Sequence, residues 1–363
     1  MQRFRFGNLS MLRDRILNRI RLGSDLEFQG EEGFDVLACD LFKYQFESVP
    51  AYRRLCERVG IHPDRVSRWQ EIPPLPTVAF KEAHISSVSK DEAVEIFETS
   101  GTTTGDPGRH YLRSVDFYRA AIDPPFARNI CSDQMAMVIL TPERLEAPRS
   151  SLVFMMDHVA RRWGTPGEVS FHVRGGALDL DGVRARLRDC QAQEVPVLLL
   201  GTSFSYVHLM EGLRVSGERF PLPAGSRIFD TGGTKGRSRS VTREELHQGF
   251  YEYFGIQEDQ IILEYGMTEL SSQFYARGDR RRFRAPSWVR VQVLDPVTLE
   301  SLPVGEEGVL AIFDLANVDS VASIVTADRA LLDGRGEFLL TGRIGGSSRR
   351  GCSLASEDLG VST

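Results

Sequence analysis

The sequence predicts an α/β fold, with mostly parallel sheets flanked by helices and a small β-rich subdomain. Three observations predict it. Between residues 93 and 285, short apolar runs alternate with segments of helical period. Three of those runs end in polar or glycine-rich loops, at 201–205, 231–236 and 265–269. From Trp288 the texture changes: Val289, Val291 and Val293 alternate with polar residues, and Pro296, Pro303 and Gly305 mark turns. The chain therefore divides into a helical N-terminal part (1–92), an α/β core (93–285), a β-rich subdomain (286–343) and a short flexible tail (344–363).

In the first part, Phe34, Leu37, Leu41, Tyr44 and Gln45 follow helical spacing, continued by Tyr52, Leu55, Cys56 and Val59. Gly60 suits a C-cap. Pro73-Pro74-Leu75-Pro76 reads as a stiff connector, since each proline fixes φ and removes a donor. In the core, Val94–Phe97 predicts a strand and the spacing from Ser114 through Phe117, Ala120 and Ala121 a helix. Met135–Leu140 predicts a buried strand stopped by Thr141-Pro142, and residues 151–160 and 181–193 predict helices. Val195–Leu200, Arg227–Asp230 and Gln260–Glu264 predict further strands, and Tyr206–Leu213 a helix. Thr242-Arg243-Glu244-Glu245 fits a capping box, with Gly255 as the matching C-cap. Val309–Phe313 and Glu337–Leu340 are strand candidates of the last part.

Composition narrows the function. At 363 residues the chain can bury a full core, and 41% hydrophobic with 26% charged residues is ordinary for a globular protein. A net charge of −6 gives no global pull toward nucleic acid or anionic membrane, and no apolar run approaches spanning length. The N-terminus lacks the apolar core of a secretion signal. The five cysteines (Cys39, Cys56, Cys131, Cys190 and Cys352) are scattered with no Cys-x-x-Cys pair, which suggests neither a zinc site nor a disulfide framework and points to a reducing cytoplasm.

The stretch from Phe97 to Tyr111 holds the densest chemistry, Thr99-Ser100-Gly101-Thr102-Thr103-Thr104-Gly105 and then Gly108-Arg109-His110. With the Val94–Phe97 run before it and the helical spacing from Ser114 after it, it reads as the loop between a strand and a helix. Its glycines let backbone N–H groups approach oxygens, its hydroxyls donate hydrogen bonds and Arg109 adds charge, which suits a polyphosphate. It is not a Walker A loop. Alone, such a loop is more often a polar surface turn. In open α/β sheets a ligand crevice lies outside the carboxyl ends of the strands, so the loops at 201–205, 231–236 and 265–269 are candidates to share one site with it.

Taken together, these motifs resemble the adenylate-forming superfamily, and more closely the acyl-protein synthetases of bacterial bioluminescence operons. The residues that carry the resemblance are Thr99–Gly105 with Gly108–Tyr111, then Thr231–Arg237, then Glu264-Tyr265-Gly266-Met267-Thr268-Glu269. Ala327-Asp328, Gly342-Arg343 and Arg350-Gly351-Cys352 complete it. The resemblance implies the superfamily's large-domain fold and an enzyme that activates a carboxylic acid, a fatty acid by family, with ATP and Mg²⁺. It implies that Ser100, Thr102 and Thr103, with Gly101 and Gly105, hold the leaving phosphates. Gly232, Gly233 and Tyr265 would lie against adenine, and the Thr268 hydroxyl would bind the α-phosphate. Glu269 would hold the metal and Asp328 the ribose hydroxyls, with Arg343 also on the nucleotide. Singly, each has a plain alternative: Glu269 as a solvated carboxylate near a helix start, Asp328 as a turn residue, the glycines as a tight turn.

The sequence departs from the superfamily pattern in places. Thr104 is additional, and Gly108-Arg109 stands where a lysine follows the proline. The chain ends about twenty residues after Arg343, so the mobile domain that carries the superfamily's adenylation lysine is expected to be missing. Arg109 or Lys235 would then supply that charge. The resemblance also implies a cysteine near the C-terminus that accepts the acyl group, and Cys352 stands in that place beside Arg349 and Arg350, which would favour its thiolate. The alternatives are an incidental tail thiol, with CoA or a carrier protein as acceptor. In the bioluminescence system the acyl group passes on to a reductase partner. Two other readings compete. Gly201-Thr202-Ser203-Phe204-Ser205 nearly matches a hydrolase elbow, with His208 or His247 as base, but lacks the final glycine. A catalytically inactive nucleotide-binding subunit is the other.

Overall fold

The apolar runs of the core become strands buried on both faces, which is why they read as continuous rather than alternating. The computed structural model describes residues 6–23, 30–99, 106–232, 241–278 and 280–344. The N-terminal elements are α1 (Phe6–Leu22), α2 (Gly30–Ser48), α3 (Pro50–Arg58), β1 (Leu75–Pro76) and α4 (Ala79–Glu82). Then come β2 (Glu95–Glu98), β3 (Arg109–Leu112), α5 (Asp116–Asn129), β4 (Met135–Pro142), α6 (Ser151–Trp163), β5 (Gly164–Arg174) and β6 (Ala177–Leu178). The chain continues through α7 (Leu180–Ala192), β7 (Val197–Thr202), α8 (Ser203–Ser216), β8 (Arg227–Thr231), α9 (Arg243–Phe254) and β9 (Ile261–Tyr265). Last are β10 (Phe274–Arg277), β11 (Phe283–Arg284), β12 (Val289–Leu294), β13 (Glu307–Asp314), β14 (Ser323–Leu332) and β15 (Glu337–Arg343).

The chain forms two compact units, one from Met1–Pro125, Met267–Phe274 and Arg282–Thr363, the other from Phe126–Gly266 and Tyr275–Arg281. The second unit is the α/β part. Its strands lie in the order β6-β5-β4-β7-β8-β9-β10, and β5, β4, β7, β8 and β9 pair in parallel. Met137, Val138 and Ile139 of β4 and Leu198, Leu199 and Leu200 of β7 are wholly buried. Helix α8 is tied to the sheet by Tyr206, whose hydroxyl lies 2.8 Å from the Leu199 carbonyl and 2.9 Å from that of Phe229. On its other side the Tyr206 ring packs edge-on against Phe250 of α9. Helix α9 starts at the expected capping box, Thr242 and Glu245 bonding each other's backbone N–H, and ends at Gly255 in the left-handed conformation.

The first unit packs the N-terminal helices on an antiparallel sheet ordered β12-β13-β14-β15-β11. Phe34 of α2 meets Phe313 of β13 and Trp69 edge-to-face. The buried amide of Gln45 donates to the Asn317 carbonyl at 2.7 Å and accepts from the Ala322 N–H at 3.0 Å. Leu75-Pro76, read as a connector, instead forms the short strand β1 beside β14 in parallel. The long strands β5 and β14 escaped the sequence reading. Pro166 and Gly167 interrupt β5, and Thr326, Asp328 and Arg329 interrupt the apolar run of β14. Among the described residues no helix is long and apolar enough to cross a membrane.

Candidate active site

The strand before the Ser/Thr/Gly stretch and the helix after it are both present, with one further strand between them that the sequence reading did not include. The helix expected from Ser114 onward follows as α5, but Arg109–Leu112 ahead of it is not part of the loop. It folds back as β3, pairing antiparallel with β2, so that Glu98 faces Arg109 and Phe97 faces His110. The physical reason is that His110, Tyr111 and Leu112 are buried and extended, which a pattern search for helical spacing overlooks. The hairpin neck is closed by Thr99 and Gly108. The Thr99 N–H donates to the Gly108 carbonyl and the Gly108 N–H donates to the Thr99 hydroxyl, both at 2.9 Å. A Cβ at Gly108 would stand 3.2 Å from Thr99 Cγ2, 3.3 Å from Lys81 Cγ and 3.4 Å from the Phe80 backbone. Arg109 pairs with Glu98 at 3.0 Å, and that carboxylate raises the guanidinium pKa further. Ser100, Gly101, Thr102, Thr103 and Gly105 lie outside the described residues, as do Gly233, Lys235 and Cys352.

Thr268 and Glu269 belong to the same unit as this hairpin. The Thr268 hydroxyl lies 3.5 Å from the Glu98 carbonyl, and the Thr268 carbonyl accepts from His110 Nδ1 at 2.8 Å. The Glu269 carbonyl accepts from the Asn317 amide at 2.8 Å, and its side chain is largely buried. The turn that follows is held by Asp314. Its carboxylate accepts from the N–H groups of Ser271, Ser272 and Ala316 and from the Ser272 hydroxyl. Burial lifts its pKa to about 6 despite those four bonds. The Trp288 indole N–H donates to the Ser272 hydroxyl at 2.8 Å, and the Ser271 N–H to Asn317 Oδ1 at 2.8 Å.

Sequence reasoning missed this bracket. Asn317, Asp319 and Ser320 are all buried. Asp319 pairs with Arg13 and accepts from the Arg113 N–H, while its carbonyl accepts from the Ser86 and Ser87 hydroxyls. The signal was available: four polar residues, Asp314, Asn317, Asp319 and Ser320, interrupt an otherwise apolar run from Val309 to Ala322.

Asp328 and Arg343 meet on neighbouring strands. They are register partners on β14 and β15, and Arg343 Nε donates to the Asp328 carboxylate at 2.6 Å. Asp328 is largely buried, and its own N–H donates to the Thr326 hydroxyl at 3.1 Å.

In the other unit, polar groups gather at the carboxyl ends of β7, β8 and β9. Ser203 Oγ lies 2.8 and 3.0 Å from the two carboxylate oxygens of Asp230. Burial raises Asp230 to about 6. Glu264, next to Tyr265, is also buried and raised to about 7, opposed by a hydrogen bond from Thr231 and reinforced by the Asp230 charge. The Gly232 N–H reaches the Glu264 carbonyl at 3.4 Å, and a Cβ on Gly232 would meet no atom of the described residues within 4 Å. The elbow-like segment is a helix start instead. Thr202 caps α8 through the Ser205 N–H, Ser205 bonds back to Thr202, and Ser203 is held by Asp230. His208 is paired with Glu211 one turn along the same helix.

The fold is that of the adenylate-forming ligases. A 2-hydroxyisobutyryl-CoA ligase in its open conformation superposes with a TM-score of 0.64 at 16% identity, covering 88% of this chain and 72% of that one. The same ligase in the thioesterification state gives 0.61 at 17% identity, covering 88% and 70%. The profile of the family described as "Acyl-protein synthetase, LuxE" matches residues 25–358, and the chain belongs to that family. It is therefore an acyl-adenylate-forming ligase, as the motifs had suggested. Two relatives carry the name long-chain-fatty-acid–luciferin-component ligase. The one from Vibrio harveyi is 26% identical over 79% of this chain and 76% of its own. The one from Aliivibrio fischeri is 24% identical over 81% and 78%.

Proposed function

We propose that this enzyme joins a long-chain fatty acid to ATP, releasing pyrophosphate, and passes the acyl group to the thiol of its own Cys352. The contact that carries the reading is that of Thr268 with the hairpin neck: motifs about 160 residues apart in sequence meet through His110 and the Glu98 carbonyl. That is the closeness required if one motif holds the leaving phosphates and the other the α-phosphate. The names of the relatives support the fatty acid.

In the first step a carboxylate oxygen attacks the α-phosphorus. The new P–O bond forms as the bond to the β-phosphate oxygen breaks, and pyrophosphate carries off the charge. In the second step the Cys352 thiolate attacks the acyl carbonyl, the C–S bond forms and AMP leaves. Ser100, Gly101, Thr102, Thr103 and Gly105 would cradle the leaving phosphates, with Arg109 adding charge beside them. Gly232, Gly233 and Tyr265 would bound the adenine, Asp328 and Arg343 the ribose, and the Thr268 hydroxyl the α-phosphate. Among the described residues no group of three His, Cys, Asp or Glu side chains is placed to hold a metal unaided. Mg²⁺ commonly binds through one or two carboxylates plus substrate phosphates, so the single carboxylate of Glu269 fits a nucleotide-borne Mg²⁺. Bound there, the ion would offset phosphate charge.

The test combines ATP, Mg²⁺ and labelled carboxylic acids with wild type, Cys352→Ser and Glu269→Gln. Expected are pyrophosphate exchange with long-chain acids and a hydroxylamine-sensitive label on wild type that Cys352→Ser lacks. Label persisting on Cys352→Ser moves the acceptor elsewhere. Exchange without any protein label makes CoA or a carrier protein the acceptor, and absence of both overturns the catalytic reading for this chain.

A further inference from the structure

We propose that His110 is a positioning residue for adenylation: as a neutral imidazole protonated on Nδ1, it holds the Thr268 backbone against the β2–β3 hairpin. The inference rests on the reading of Thr268 as a phosphate-binding residue and extends it to a histidine outside the motif roles assigned above.

The geometry dictates the proton's place. His110 is wholly buried, with Nδ1 2.8 Å from the Thr268 carbonyl. A carbonyl oxygen can only accept, so Nδ1 carries the hydrogen. Nε2 lies 3.0 Å from the Ser320 hydroxyl, which donates to it. Burial lowers the imidazole's pKa and keeps this neutral form. Phe80 packs edge-on to the ring and restrains its plane.

Three segments meet on this ring. His110 is the β3 partner of Phe97 and neighbours Arg109, which pairs with Glu98. Thr268 precedes Glu269, whose carbonyl is held by Asn317. Ser320 sits in the loop that Asp319 ties to Arg13, Arg113, Ser86 and Ser87. A ring hydrogen-bonded on both sides allows little play between the hairpin neck and Thr268. Catalysis by positioning is steep in distance, so slackening this joint reduces turnover more than ground-state binding.

Two conservative substitutions separate the two sides of the ring. The amide nitrogen of His110→Asn can stand where Nδ1 stands and keep the Thr268 bond. The longer amide of His110→Gln reaches toward Ser320 and gives up the Thr268 bond. Both are neutral, and His110→Asn, one methylene shorter, leaves the larger void, so thermal stability is read beside activity for each. In ATP–pyrophosphate exchange, His110→Asn is expected within a few-fold of wild type. His110→Gln is expected to lose about 10- to 100-fold in kcat with KM for the acid almost unchanged. Long-range ¹H–¹⁵N spectra of the wild-type imidazole, independent of activity, should show the Nδ1–H tautomer. The proposal is overturned by an Nε2–H tautomer, by a His110→Gln enzyme as active as His110→Asn, or by losses in both that merely follow their loss of thermal stability. A wild type silent in exchange with every acid defeats the catalytic reading instead, and the positioning role falls with it. An active wild type with an inactive Glu269→Gln upholds that reading and leaves the histidine variants to decide the inference.

Discussion

Glu264 shows how burial reverses a carboxylate's usual contribution. Its pKa is raised to about 7, above its ordinary range. The folded state therefore binds a proton more tightly than the unfolded chain does. The stability tied to that proton is fully present below the unfolded pKa and is lost as pH rises through the folded one. Glu264→Gln keeps an acceptor for Thr231 and removes the titration. Urea unfolding of the variant and wild type should diverge between about pH 4.5 and 7, by on the order of 3 kcal/mol in the variant's favour at the upper end. A constant difference across that window would contradict the assignment. Gly232 makes the complementary point. Among the described residues neither packing nor backbone angle requires glycine there, since a Cβ meets none of their atoms within 4 Å and φ is ordinary. Gly232→Ala should leave stability within about 0.5 kcal/mol. If adenine lies against it, KM for ATP rises while the unfolding midpoint does not move.

At the scale of elements, the turn after Glu269 depends on a neighbour far along the chain. Asp314 satisfies three buried N–H groups and one hydroxyl at the end of β13. Asp314→Ala leaves them without that acceptor and should cost about 3 kcal/mol or more, read by chemical unfolding. Asp314→Asn retains one acceptor oxygen and should fall between the two. The β2–β3 hairpin offers a second test. A side chain at Gly108 must displace Thr99, Lys81 or the Phe80 backbone. Gly108→Val should cost about 1–3 kcal/mol and slow exchange, because the neck that holds Arg109 opposite Glu98 is forced apart. Exchange at the wild-type rate would show that the neck geometry is not used.

For the molecule as a whole, ligand linkage provides the readout. A ligand at free concentration L that binds only the folded protein stabilises it by RT ln(1 + L/Kd), about 2.7 kcal/mol when L stands at a hundred times Kd. ATP with Mg²⁺ should raise the thermal midpoint by a few degrees. Chelating the metal, or Glu269→Gln, should remove most of that rise while leaving the ligand-free midpoint in place. A shift indifferent to both would detach Glu269 from the metal.

Much of this protein can be read from its sequence because the signals are local. The runs Met137–Leu140 and Leu198–Leu200 are strands buried on both faces, and the Thr242–Glu245 box and Gly255 mark both ends of one helix. The order of the Thr99–Gly105, Thr231–Arg237 and Tyr265–Glu269 motifs pointed to the family, and the family match bears that out. Other features were decided only by tertiary structure. Arg109–Leu112 became a strand because β2 offered an edge to pair with, which no spacing within four residues reveals. His110, Asp314, Asn317 and Ser320 are ordinary polar letters until folding removes water from them, and each must then find a partner inside the chain. Periodicity records which residues are buried. Which buried polar groups meet depends on contacts between residues more than a hundred positions apart, and those exist only once the chain has folded.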